Sequence, residues 1–121
     1  MKKLAWLLLL VPFFAFKCEK ETYGWLEGKV VRFSCASYVI QVTNNNSIGE
    51  DGWKDMFDNN KTYDNAIAAA NKCDIPESIV KGNKIRFRIE SSNNPAPCAV
   101  CFMYDAPPKV EYEIKDIEVV K

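Results

Sequence analysis

Apolar and polar residues alternate with a period of two in two long stretches of the chain. Lys84 to Glu90 (KIRFRIE) sets Ile85, Phe87 and Ile89 on one side and mostly charged residues on the other, and Val110 to Val120 (VEYEIKDIEVV) alternates in the same way. Successive side chains of a strand point to opposite faces, so this pattern predicts half-buried β-strands. Tyr38 to Thr43 (YVIQVT) is rich in β-branched residues and runs into Asn44-Asn45-Asn46-Ser47, a turn signal. Trp25 to Phe33 (WLEGKVVRF) reads as a further strand. Gly28 inside it marks a bulge or sharp coil. Cys35-Ala36-Ser37 then connects these two strands as a hairpin.

Elsewhere the pattern is less regular. Ile48 to Thr62 mixes glycines, acids and asparagines around Trp53, Met56 and Phe57, which predicts a loop with a short turn or strand pinned by its aromatics. Asp64 to Lys72 (DNAIAAANK) has the best helix propensity in the domain, with Asp64 as N-cap and Pro76 stopping extension past about Asp74. Lys81-Gly82-Asn83 is a turn, Ala99 to Tyr104 is strand-like, and Asp105-Ala106-Pro107-Pro108 turns the chain again. Five strands with one short helix before the third long one predict a mainly β fold, a small closed or nearly closed barrel, closure of which would remove exposed edges.

The N-terminus reads differently. Met1-Lys2-Lys3 is cationic, and Leu4 to Phe16 is an uncharged apolar run. A positive start followed by about 7–15 apolar residues is a secretory signal, too short for the roughly 20 residues that span a bilayer. Residues 1–17 are therefore expected to be a signal peptide. Residues 18–23 form a polar tether that begins at Cys18, and residues 24–121 form the barrel domain. Cys18 follows the apolar run directly and is the expected site of acylation with palmitate-type chains. The residue before it is Lys17, where the usual lipidation signal has a small residue.

Charge and cysteine usage fit export. Three of the sixteen basic residues (Lys2, Lys3, Lys17) lie in the leader, so sixteen acids face thirteen bases and the domain stands near −3. A mildly acidic domain is a poor binder of polyanions, and no nucleic-acid partner is expected. Lys84, Arg86 and Arg88 share one strand face, which on a barrel beside Trp25, Trp53, Phe57 or Tyr63 can hold single-stranded nucleic acid. With a leader and negative charge, a solvated face is the better reading. Cys35, Cys73, Cys98 and Cys101 are four further cysteines in a short exported domain, which implies two disulfides with three connectivities open.

Residues 73–87 (CDIPESIVKGNKIRF) resemble a segment of small Bacteroidetes-type exported lipoproteins that carry an OB-like barrel. Those run from an apolar residue and proline through an acid and an aliphatic pair to a glycine turn and an alternating strand. Val110 to Glu118 resembles their C-termini, and the leader and residues 24–33 are similar as well. Residues 44–72 and the cysteine pattern fall outside the likeness. The resemblance implies an OB-like fold and a cell-envelope address, lipid-anchored at the outer membrane; it brings no reaction with it.

Few residues carry candidate chemistry. The chain has no histidine. That excludes Ser-His and Cys-His nucleophile activation and removes the commonest metal ligand. Cys98-x-x-Cys101 lacks the βα context of a thiol–disulfide exchanger, so a structural bridge is preferred. Thiol redox chemistry, or a soft-metal site using Cys98, Cys101 and Met103, is the alternative. Asp58-x-Asn60-x-Thr62-x-Asp64 places oxygens at alternating positions but has Tyr63 where a calcium loop needs glycine and Ala69 where it needs glutamate, so a solvated acidic loop is the better reading. No catalytic residue, metal or cofactor is assigned. Trp53 and Phe57, four apart in a polar loop, are candidates either to anchor a protein or glycan or to plug one end of the barrel. The expected function is a non-catalytic envelope lipoprotein, bound to the membrane through its lipid and to a protein or glycan through its loops.

Overall fold

The computed structural model describes residues 23–91 and 104–121. The segment expected to be a signal peptide (residues 1–17), Cys18, Cys98, Cys101, Met103 and most of the strand expected over 99–104 lie outside the described residues. Strands β1 (Leu26–Phe33), β2 (Tyr38–Val42), β5 (Ala66–Ala69), β7 (Glu111–Val119) and β6 (Lys84–Glu90) pair in that order, and β6 returns to β1 to close the barrel. All pairings are antiparallel except β5 with β7, which is parallel. This is the strand order of an OB-like barrel. Strands β3 (Trp53–Asp55) and β4 (Lys61–Tyr63) form a separate two-stranded hairpin, which is the short element pinned by aromatics within 48–62.

Of the two period-two stretches, β6 behaves as alternation requires, whereas in β7 only Ile114 is buried and the register with β6 shifts between Lys115 and Glu118, where Asp116 has a positive φ. In β6, Ile85, Phe87 and Ile89 are buried and Lys84, Arg88 and Glu90 exposed. They join Leu26, Val30, Tyr38, Ile40, Ile67 and Ile114 in the barrel interior. Gly28 lies within β1, where a Cβ would stand 2.5 Å from the Gln41 carbonyl oxygen and 2.9 Å from Ile40 Cγ2, so β2 can approach only a bare backbone. Gly28 therefore marks a close approach, and the bulge of β1 falls further on. The register with β2 shifts between Val30 and Arg32. Val30 stays in the interior, Val31 joins an outer cluster with Val39, Trp53 and Ala66, and Arg32 pairs across from Val39. A bulge re-aims side chains in this way.

The helix expected over 64–72 is not formed. Residues Ala66–Ala69 are a strand, and the only helical element among the described residues is a 3-10 turn at Lys72–Asp74. The reason is tertiary. Asn65 takes a positive φ of 60°, and its side-chain amide donates to the Ile48 carbonyl at 2.8 Å, so the chain leaves Asp64 in a non-helical direction. Asp64 caps no helix; its Oδ1 accepts from the Gly52 N–H at 3.0 Å. Ala66 to Ala69 is buried throughout, between the interior and the β3–β4 hairpin, and pairs on both edges. Ile67 fills the interior while Ala66 packs against Trp53 on the other face, so the alanines here report burial on two faces rather than helix propensity. The segment after the 3-10 turn places Ile75 and Ile79 in the core, and the Tyr38 hydroxyl donates to the Ile79 carbonyl at 2.8 Å.

Candidate functional site

The bulge in β1 delivers Arg32 to the outer face of the barrel, beneath the β3–β4 hairpin, where it is almost fully buried. Its Nε and Nη2 both donate to Asp55 Oδ1, at 3.2 and 2.6 Å. Its Nη1 donates to the Asp105 carbonyl and stands 3.3 Å from Asp105 Oδ1. That oxygen receives no aligned hydrogen bond. Asp105 Oδ2 accepts from the Ser34 and Ser37 hydroxyls at 2.5 and 2.9 Å. One buried cation thus meets two buried carboxylates. Burying an ion costs several kcal/mol unless it is paired and hydrogen-bonded, so this cluster locks together the three segments that supply it: the β1–β2 connection, the hairpin, and residues 104–108 ahead of β7.

Aromatic rings complete the site. The Arg32 guanidinium carbon lies 4.9 Å from the Trp53 ring centroid and 4.7 Å from that of Phe57. Trp53 is 4% exposed, and its indole N–H donates to the Ala106 carbonyl at 2.8 Å. Phe57 is 54% exposed, and its backbone N–H donates to Asp55 Oδ1 at 3.0 Å. The structure separates the two aromatics that the sequence offered together. Trp53 is interior, packed on the outer wall of the barrel with Val31, Val39 and Ala66 rather than plugging an end. Phe57 covers Arg32 from the solvent side. Met56 and Tyr104, each next in sequence to a residue of this cluster, are also exposed.

OB-like barrels bind ligands mainly on the face of their second and third strands, framed by the loops between strands one and two and between four and five. The corresponding face here is that of β2 and β5, and the hairpin covers it: Val39 and Ala66 are buried with Trp53. Among the described residues, Phe57 stands exposed at the loop end beside that covered face.

The remaining expected residues are dispersed. Cys35 lies exposed in the β1–β2 connection. Cys73 sits in the 3-10 turn and lines a cleft of about 230 Å³ with Phe33, Tyr38, Lys72, Ile75 and Glu77. Neither cysteine is without a partner. The acidic stretch 58–64 is consumed by the hairpin: Asn59 and Asn60 take positive φ, Thr62 is in β4 and Asp64 binds Gly52. Among the described residues no three acids or cysteines stand together as a metal-ligand group. Trp25 is the one aromatic of the four named that meets the Lys84–Arg86–Arg88 face, lying 4.1 Å from the Arg86 and 5.5 Å from the Arg88 guanidinium. Tyr63 lies in the hairpin beside Trp53, at 6.0 Å between centroids.

Arg32, Asp55, Asp105, Ser34 and Ser37 escape a reading of the sequence because their contacts span 23 and 68 to 73 residues. The one local trace is the break of alternation at Val30-Val31-Arg32. The chain matches no protein-family model, and no curated protein matches it.

Proposed function

We propose that this chain is a non-catalytic cell-envelope lipoprotein. It is exported, acylated on Cys18 and held by that lipid, and it binds a protein or glycan through the loop end of its barrel. The observation that carries the reading is Phe57. Its ring is exposed, yet it is held over a buried cation and tied by its own backbone to the carboxylate that pairs that cation. A rigidly supported exposed aromatic is the kind of anchor that recognition surfaces use, because little freedom is left to lose on binding. Trp53 acts from below, as the floor under Arg32. The covered β2–β5 face argues for the loop end over the strand face as the place of contact.

Disulfide bonding of the four cysteines belongs to the same reading. A short exported domain is where such bridges persist, and Cys35 and Cys73 both stand at the surface with partners. A chain without histidine has no imidazole to run hydrolytic chemistry at neutral pH. The resemblance to Bacteroidetes-type lipoproteins supports the address.

The experiment places a photoreactive amino acid at position 57 of the full chain, expressed in a lipoprotein-competent host, with the same probe at the exposed Lys54 as control. The expected result is an adduct to a discrete envelope protein or glycan at position 57 alone. An intact mass of the same sample should show loss of residues 1–17, added acyl chains and no alkylatable thiol. Equal labelling from both positions sinks the binding surface, and an unlipidated mass with free Cys98 and Cys101 sinks the lipoprotein.

A further inference from the structure

The first described residue, Tyr23, is half-buried and packs against the barrel core. It lines a cleft with Arg88, Ile89, Glu90, Lys115 and Asp116. The point at which the tether reaches the barrel is therefore set, beside Arg88. Two residues on, Trp25 is 41% exposed, with the Arg86 and Arg88 guanidinium groups against its ring. Among the described residues, the acidic partners of the two arginines stand at the limit of ion pairing, Glu118 at 4.0 Å and Asp116 at 3.9 Å, with Arg86 half-buried and the other three side chains more than half exposed. Such pairs contribute little and leave N–H donors for another acceptor.

An exposed indole flanked by two guanidinium groups suits one environment in particular. Tryptophan is enriched at the headgroup level of a bilayer, where its ring is half apolar and half wet. Arginine donates in a fork that matches phosphate oxygens. Five residue steps, with four residues between, lead from Cys18 to Tyr23. At full extension they reach only about 17 Å. A chain acylated at Cys18 cannot hold Trp25 far from the membrane surface.

We propose that the Trp25–Arg86–Arg88 face docks on the phospholipid headgroups of the membrane that holds the lipid, with the indole at the interface and the guanidinium groups on phosphodiester oxygens. This rests on the lipid-anchored reading given above. Anchoring makes the contact intramolecular, so a weak face suffices to orient the barrel. Phe57 lies beyond the other end of β1, next to Arg32, and docking through Trp25 leaves it free of the bilayer.

The test reconstitutes the processed full chain into phosphatidylcholine vesicles that contain a lipid with a headgroup nitroxide, and follows tryptophan fluorescence. Processing removes Trp6, so Trp25 and Trp53 remain. The Trp25→Phe variant reports Trp53 alone, and the difference reports Trp25. Trp25 emission is expected to fall about twofold on adding the nitroxide lipid, with Trp53 unchanged. Arg86→Ser with Arg88→Ser is expected to abolish that fall while the far-UV spectrum stays that of the parent. Intact mass on the same samples reports acylation. An acylated chain whose Trp25 is quenched no more than Trp53, or whose quenching survives the double substitution, overturns the docking and leaves the anchor standing. An unacylated mass overturns the anchor. An unacylated chain that still sediments with vesicles and shows arginine-dependent quenching supports the face on its own, and one that stays in solution overturns both.

Discussion

Where β1 ends, a guanidinium is sealed between Trp53 and Phe57 with two aspartates beside it; where β1 begins, Arg86 and Arg88 rest on Trp25 in open solvent. The partners are the same and the distances similar. What differs is water. At the exposed pair each guanidinium keeps most of its hydration, the ring contact contributes about 0.5–1 kcal/mol, and the flanking ion pairs contribute about 0–1 kcal/mol. At the buried site hydration is gone, so each ion depends on its partners, and removing one strands the others. One contact type thus serves as a lock in a dry site and as a free, polar-tipped surface in a wet one.

The strongest test of this contrast is Arg32→Ala. It leaves Asp55 and Asp105 buried without their cation, and the expected loss is about 3–5 kcal/mol in urea unfolding. The same change at Arg86 should shift the midpoint by no more than about 1 kcal/mol. Equal losses at the two sites would mean that the burial of Arg32 is not what gives it weight.

Tyr38 measures how dry the interior is near the same end of the barrel. Burial pushes its hydroxyl up to about 12, from an ordinary value of 10.0. Between those values the unfolded chain has lost the phenol proton while the native state keeps it. The contribution is therefore fully present below about pH 10 and lost as pH rises toward 12. Tyr38→Phe removes the hydrogen bond to Ile79 and is expected to cost about 1 kcal/mol at neutral pH. It should also flatten the alkaline fall of the urea midpoint. If the slope between pH 10 and 12 is unchanged, another group is responsible for it.

The exposed rings carry less than Arg32, and unequally. Phe57→Ala uncovers one side of a paired cation and is expected to cost about 1–2 kcal/mol. Trp25→Ala is expected to cost under about 1 kcal/mol, the value for an exposed cation–π contact. Comparing the two variants at low and high salt sharpens the contrast, since the cations on Trp25 are in reach of salt whereas the Arg32 beneath Phe57 is buried.

Much of the barrel was legible because burial leaves a trace in composition: period-two alternation in KIRFRIE, and β-branched residues ahead of a turn signal in YVIQV. Strand β5 was not. Ala66 to Ala69 is crowded by the interior on one side and Trp53 on the other, and a strand squeezed on both faces takes the residues that also make the best helix. Phe57 was legible as an aromatic in a polar loop, but its support was not. Arg32 looks like any strand-end arginine until the bulge turns it under the hairpin and residues 23 and 73 positions away arrive to pair it.

The parallel pairing of β5 with β7 bears on the order of folding. Ala68 and Ala70 donate to the Val110 and Tyr112 carbonyls, so half of β5's ladder comes from the last strand. β7 also supplies the second edge of β6. A nascent chain lacking residues 110–119 has no means of closing the barrel, and pairing across such sequence distances is slow, on the order of milliseconds to seconds. The polypeptide is therefore expected to stay threadable until β7 is made, which is compatible with the export proposed above.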